Sequence, residues 1–226
     1  MRLNRTGAVA GLAYLAAGVA WTWLSGAPWP LAVWFVAVAL LGAFVPGAAN
    51  QVSLARAYLA APAAYYATHE QYGALAVSVA VAGLSDLVDG TVARRFGSPT
   101  NLGGGLDPVV DGVFLGALGF GLALGGAFPL WLAAIVLARY VLPALGGAVL
   151  IASGRKVELR HTVTGQISTT LNLVLVGGVA LLRGLGADPG NLVAGAEIVL
   201  PVATVATFVH LAFELRRPRV SESGAA

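Results

Sequence analysis

Eight runs of apolar residues, each bounded by a turn or a polar segment, constrain the fold of this chain most. Most approach the roughly 20 residues that cross a bilayer as a helix. Charged residues make up 10% of the chain, whereas soluble domains average about 25%. Because a backbone in lipid must satisfy its own hydrogen bonds, the runs predict an all-α integral membrane bundle of about eight transmembrane helices. The runs cover residues 7–25, 31–46, 57–68, 72–92, 104–125, 128–153, 167–182 and 191–213.

Basic residues are distributed unevenly between the two ends of these predicted spans. With eight spans both termini lie on one side, and that side collects eleven of the thirteen Lys and Arg residues. The other two are Arg139, inside a span, and Arg183, on the far side. Since Lys and Arg accumulate in cytoplasmic loops, we expect a multi-pass protein of the cell membrane with that side facing the cytoplasm. The eleven are Arg2, Arg5, Arg56, Arg94, Arg95, Arg155, Lys156, Arg160, Arg216, Arg217 and Arg219.

Four of the ten acidic residues are aspartates that stand within one short stretch of the chain. Asp86 and Asp89 are three positions apart, and Asp107 and Asp111 are four apart, so each pair shares one face of a helix. The segment SPTNLGGG between the pairs predicts a tight loop, with a second helix that starts near Gly104. The four carboxylates are then expected to face one another across a helical hairpin at the cytoplasmic end.

Carboxylates gathered in this way repel one another unless cations bridge them. Hard divalent cations prefer carboxylate oxygens, and Mg²⁺ usually combines one or two carboxylates with substrate phosphates. Two metal ions can clamp the attacking and leaving oxygens of a phosphoryl displacement. Arg94 suits a phosphate contact, and Gly90 lets a substrate approach the backbone. In the alternative interpretation, the aspartates cap helix ends and pair with neighbouring arginines.

The spacing of this stretch resembles the signature of the CDP-alcohol phosphatidyltransferases, D-x2-D-G-x2-A-R-x8-G-x3-D-x3-D. The matching positions are Asp86, Asp89, Gly90, Ala93, Arg94, Gly103, Asp107 and Asp111. The resemblance implies six core transmembrane helices, a homodimer, and Mg²⁺ or Mn²⁺ as cofactor, with two ions bound. It also implies transfer of a substituted phosphate from a CDP-linked lipid, often CDP-diacylglycerol, to an alcohol with release of CMP.

The same resemblance implies a role for each position of the motif. The aspartates hold the metal ions, and Asp111 is also placed to accept the proton of the incoming hydroxyl. Gly90, Ala93, Arg94 and Gly103 line the pocket of the CDP donor. The implied mechanism is direct displacement, in which the hydroxyl attacks the lipid-side phosphorus and CMP leaves.

Two further segments resemble the phosphatidylglycerophosphate synthase branch of that family. Residues 50–62 match N-x2-T-x2-R-x5-P with Ser53 in place of Thr, and we expect their polar start to be an interfacial helix that runs into the third span. Residues 165–172 resemble G-K-x-K-T-x2-Q, but Gln166 and Ser168 replace lysines that would suit a phosphorylated acceptor. The candidate acceptor-binding residues are Arg139, Arg160, His161 and Thr169.

Arg139 has a second interpretation. An arginine inside a span must find an anion or a wet cavity, so it either binds acceptor phosphate or pairs structurally with a carboxylate. The resemblance covers residues 50–216. Residues 1–49 are therefore predicted to be a two-span addition that is dispensable for the chemistry, and residues 217–226 a polar tail.

Two other functions remain open at this point. An intramembrane prenyltransferase also holds a diphosphate with aspartates and Mg²⁺, although the D-G-x2-A-R spacing disfavours it. A cation transporter with carboxylates along its pathway predicts acids near mid-membrane on several helices, whereas these four lie at one end of two spans. The expected partners are the CDP-lipid donor, a small or phosphorylated alcohol and membrane lipids, with no nucleic acid.

Overall fold

The computed structural model describes residues 4–96, 101–153 and 163–216, which form eight α-helices and, within these ranges, no strand. The predicted all-α bundle is confirmed. The helices are α1 (Arg5–Ser25), α2 (Pro30–Gly42), α3 (Ala48–Thr68), α4 (Tyr72–Phe96), α5 (Asn101–Leu124), α6 (Leu130–Ala152), α7 (Val163–Gly184) and α8 (Gly190–Arg216).

Four segments of these helices are long and apolar enough to cross a membrane, counted over the described residues. They are Arg5–Ser25, Leu106–Leu124, Ile167–Gly184 and Gly190–Phe213. Three shorter apolar segments are Pro30–Gly42, Tyr72–Ser85 and Leu130–Gly146. The helix α1 buries only small residues, whereas Trp23 and Leu24 are 74% and 83% exposed. Such a surface suits lipid, and the chain is a membrane protein, but eight crossings stay a prediction.

The main core lies between α3 and the five helices that follow it. Its centre is a set of fully buried side chains that includes Leu118 and Leu122 of α5, Leu132 of α6 and Val176 of α7. The helix α5 packs against α3, α6 and α7. Glycine makes part of this packing possible, because a Cβ at Gly121 would lie 3.0 Å from the backbone of Ala64 in α3.

A second apolar cluster joins the hairpin of α1 and α2 to the rest of the bundle. Its buried members come from three helices and include Phe35 and Val38 of α2, Leu54 and Tyr58 of α3, and Val110 of α5. This cluster therefore ties the first two helices to the half of α5 that carries the aspartates.

The predicted start of α5 is wrong. The helix α5 begins at Asn101, three residues before the predicted start, so Gly103 to Gly105 are helical and not part of a loop. Glycine lowers intrinsic helix stability by only about 1 kcal/mol per residue, and tertiary context overrides such a preference. The polar start of α3 packs inside the protein, since Asn50, Gln51, Ser53 and Arg56 are all buried; its interfacial position stays a prediction.

Candidate active site

The described half of the aspartate cluster lies on one face of α5. Asp107 and Asp111 are one helical turn apart, as the spacing predicts. Their surroundings differ, since the Asp107 side chain is 45% exposed and that of Asp111 is 16% exposed. Asp111 is therefore the more desolvated carboxylate, and the more dependent on a nearby cation.

Arg56 of α3 supplies that cation. Its Nη1 lies 2.5 Å from Oδ1 of Asp111 and donates a hydrogen bond to it. Its Nη2 lies 4.0 Å from Oδ1 of Asp107. Only 5% of Arg56 is exposed, so this residue is the cationic partner of the acidic face and not a solvent-exposed charge.

The other predicted site residues are described only in part. Asp86, Asp89, Gly90, Ala93 and Arg94 belong to the last turns of α4, and Gly103 belongs to the first turn of α5. The placement of their side chains lies outside the described part of the structure, as do Arg160 and His161 altogether. The convergence of all four carboxylates therefore stays a prediction.

A cavity of about 50 Å³ adjoins the Arg56–Asp111 pair. It lies between α3, α4, α5 and α7, and its polar lining comes from Arg56, Asp111, Thr169 and Thr170. The rest of its wall is apolar. One water needs roughly 10–15 Å³ of such space, so the cavity admits a small polar group beside the Asp111 carboxylate.

Arg139 joins α6 to the first turns of α7. Its Nε donates to Oγ of Ser168 at 2.6 Å, and its Nη2 donates to the Gly165 carbonyl at 2.7 Å and to Oγ1 of Thr169 at 3.0 Å. These partners are neutral oxygens, so the predicted carboxylate pair is not among the bonds of the described residues. Thr169 also lines the cavity, which brings two predicted acceptor residues, Arg139 and Thr169, to one end of the Asp111 site.

The described donor set fits a divalent cation. Asp107 and Asp111 offer hard carboxylate oxygens from one helix face, and Mg²⁺ commonly takes one or two carboxylates and completes its shell with water and substrate phosphate. Within the described residues no group of three or more possible ligands converges, and Asp86 and Asp89 lie outside that search. The site thus fits an ion shared with a phosphate-bearing substrate.

A comparison of the sequence with known protein families gives a match that includes the residues of this site. Residues 46–211 match the family described as CDP-alcohol phosphatidyltransferase. The chain belongs to this family. The match includes α3 to α7 and most of α8, with Arg56, Asp107, Asp111 and Arg139, whereas α1 and α2 lie outside it. Family membership favours transfer of a phosphatidyl group over the prenyltransferase and transporter interpretations.

The similar proteins are named either phosphatidylglycerophosphate synthase or cardiolipin synthase. The chain is 31% identical over 132 residues to a probable phosphatidylglycerophosphate synthase of Mycobacterium tuberculosis, covering 58% of this chain and 61% of that protein. It is 31% identical over 142 residues to a probable cardiolipin synthase (CMP-forming) of Drosophila melanogaster, covering 58% and 44%. A cardiolipin synthase (CMP-forming) of Streptomyces coelicolor is 39% identical over 61 residues, covering 27% and 28%. The match spans about three fifths of the length of the first relative. No solved structure gives a significant match.

In this member of the family, Arg56 is a site residue that the sequence alone does not identify. The only signal for it was its place at the end of the N-x2-S-x2-R segment. The sequence presents Ser168 only as a replacement for lysine, yet its hydroxyl accepts the shortest hydrogen bond of Arg139. The positive charge expected at position 168 is therefore carried by α6 at that place.

Proposed function

We propose that this protein transfers the phosphatidyl group of CDP-diacylglycerol to an alcohol and releases CMP, in phospholipid biosynthesis. The observation that carries the proposal is the acidic face of α5, where Asp107 and Asp111 meet a buried arginine beside a cavity. The family membership and the names of the relatives support it. The proposal includes a homodimer in the cell membrane with the site facing the cytoplasm.

Two ions of Mg²⁺ or Mn²⁺ would be held by the four aspartates of the motif, Asp86, Asp89, Asp107 and Asp111. When bound, such ions neutralise the diphosphate of the donor and stabilise the leaving phosphate. In this proposal the carboxylate of Asp111 accepts the proton of the alcohol, and its position at the edge of the cavity supports that role. Gly90, Ala93, Arg94 and Gly103 line the donor pocket in this proposal.

The acceptor site is proposed to lie at the start of α7. Among the bonds of the described residues, Arg139 uses Nε and Nη2, which leaves Nη1 for a ligand. Thr169 accepts one of these bonds and also borders the cavity. A charge-assisted contact to phosphate contributes about 1.5–3 kcal/mol, so Arg139 would favour a phosphorylated alcohol. Arg160 and His161 are the further candidates.

CMP release tests the proposal. The purified protein in lipid nanodiscs should release CMP from CDP-diacylglycerol only when a divalent metal and an alcohol are both present. Separate reactions with glycerol 3-phosphate, inositol phosphate, phosphatidylglycerol and an uncharged alcohol identify the acceptor. Arg183→Gln removes one positive charge at the far end of α7 and is the matched control for charge variants of the site. CMP release that needs no alcohol, or no release with any acceptor, contradicts the proposal.

A further inference from the structure

The hairpin of α1 and α2 lies outside the family match, yet it contacts α3 on both sides of Arg56. Nε1 of Trp34 donates a hydrogen bond to the carbonyl of Ala57 at 2.8 Å. Before Arg56 in the chain, the Tyr14 hydroxyl donates to the Gln51 carbonyl at 3.2 Å. The hairpin thus holds the backbone of α3 directly beside Arg56 and about one turn before it.

Side chains reinforce these backbone contacts. The ring of Tyr14 stacks on Tyr58 with centroids 4.4 Å apart. Nε2 of Gln51 donates to the carbonyls of Gly42 and Val45 at the end of α2, at 2.9 and 2.7 Å. The Gly42 carbonyl also accepts a hydrogen bond from the Val45 N–H at 3.0 Å, and it belongs to the last turn of α2, where carbonyls lack the usual intrahelical donor. Gln51 therefore caps the C-terminus of α2 and links it to α3.

The same cluster reaches the helix that carries the aspartates. Val110 of α5 is buried in it, and Leu106 packs against it. These two residues directly precede Asp111 and Asp107 in the chain. The cluster that the hairpin forms with α3 therefore extends to α5 next to the two carboxylates, so this cluster borders both partners of the ion pair.

We propose that the α1–α2 hairpin is a positioning element of the active site, which holds α3 so that Arg56 is presented to Asp111 and Asp107. The metal readout used below rests on the proposed function. Since Arg56 and a divalent cation compete for the same carboxylate, a loosened Arg56 competes less well. Weakening the hairpin beside Arg56 should therefore tighten metal binding. This proposal opposes the expectation that residues 1–49 are dispensable.

The chain offers a matched pair of variants for the test. Trp34→Phe removes one indole hydrogen bond to α3, at the carbonyl of Ala57. Trp21→Phe removes one indole hydrogen bond to the same helix, from Trp21 Nε1 to the Tyr66 hydroxyl at 2.6 Å. Ala57 and Tyr66 lie about 13 Å apart along α3, at 1.5 Å per residue. If the hairpin only stabilises the fold, the two substitutions should change Mn²⁺ affinity to a similar extent. If it positions Arg56, only Trp34→Phe should change Mn²⁺ affinity.

The measurement is Mn²⁺ binding, followed by the electron paramagnetic resonance signal of free Mn²⁺, to the full chain in nanodiscs. We expect Trp34→Phe to bind Mn²⁺ at least threefold more tightly than Trp21→Phe, which should match the unaltered chain. Tyr14→Phe, which keeps the stacked ring and loses the bond to α3, should shift affinity in the same direction. If Trp34→Phe does not fold, the comparison of Tyr14→Phe with Trp21→Phe tests the proposal instead.

The route through Arg56 has its own test. In an Arg56→Gln background, Trp34→Phe and Trp21→Phe should bind Mn²⁺ equally, because the residue that the hairpin positions is gone. Equal affinities in the original background, or weaker binding by Trp34→Phe, overturn the proposal. A chain that binds Mn²⁺ but releases no CMP disproves the proposed function and leaves this comparison decisive. A chain that binds no Mn²⁺ disproves both.

Discussion

Arg56→Gln should destabilise the metal-free protein and make its stability depend on Mg²⁺. The Arg56 side chain is 6% exposed and that of Asp111 is 16% exposed, with 2.5 Å between their charged atoms. Removing one partner of a buried ion pair destabilises by about 3–5 kcal/mol, and the residual exposure of Asp111 favours the lower end. Asp107 adds less, because its side chain is 45% exposed and its oxygen is 4.0 Å away. At about 2–4 °C per kcal/mol for a chain of this size, Tm should fall by about 6–12 °C.

Mg²⁺ should reverse most of this loss. In the unaltered chain a divalent cation must compete with Arg56 for the Asp111 carboxylate, whereas in the variant it meets an uncompensated anion. A ligand present at about 100 times its Kd stabilises the folded state by about 2.7 kcal/mol, which is comparable with the expected loss. The gap in Tm between the two proteins should therefore narrow as Mg²⁺ is added.

The assay is thermal unfolding of the purified protein in EDTA and in a series of Mg²⁺ concentrations. Arg183→Gln is the control, because it removes the same charge from a residue that lies over the Tyr72 ring, away from the aspartates. Its effect on Tm should be equal in EDTA and Mg²⁺. The reasoning is refuted if the gap for Arg56→Gln is also equal in both conditions, since Arg56 would then be only a packing residue.

Three further predictions concern the site and its packing. Asp107→Asn and Asp111→Asn should both abolish CMP release at saturating Mg²⁺, and near-normal turnover in either variant contradicts the metal roles. Only Asp111→Asn should also lower Tm markedly, since it breaks the shorter ion pair. Arg139→Lys keeps the charge but loses the planar fork, so the acceptor KM should rise about tenfold with the donor KM little changed; an unchanged acceptor KM in steady-state kinetics indicates an uncharged acceptor. Gly112→Ala would place its Cβ 2.6 Å from the Cβ of Tyr140 and should destabilise by about 1–3 kcal/mol; an unchanged Tm in thermal scans contradicts that close approach.

The helices were predictable because lipid imposes a simple rule on a chain. A long run of apolar residues must be a helix there, and α1, α4, α6 and α8 begin within two residues of their predicted starts. The start of α5 was not predictable in this way. Its glycines signal a turn from local preference, whereas contacts with distant residues decide whether they join the helix.

The aspartates were predictable because their spacing within one stretch indicates a shared face. Arg56 was not, since its partner Asp111 is 55 positions away in the chain and a single arginine near the start of a span is equally typical of a cytoplasmic loop. The sequence identifies Arg139 as a charge inside a span, but its bonds to Ser168 and Thr169 of α7 depend on how α6 and α7 pack. Sequence therefore indicated which residues matter more readily than it indicated their partners.

The close approach of α5 to Ala64 at Gly121 has a mechanical consequence for Asp111. Gly121 and Asp111 lie ten positions apart on α5, or about 15 Å along its axis. A methyl group at position 121 would push α5 away from α3 and tilt it. A tilt of about 5° at position 121 moves Asp111 by about 1 Å, because Asp111 lies about 15 Å away along the helix. Since a displacement of about 1 Å can reduce a rate about 100-fold, the precision of the carboxylate is set partly by the absence of a side chain far from it.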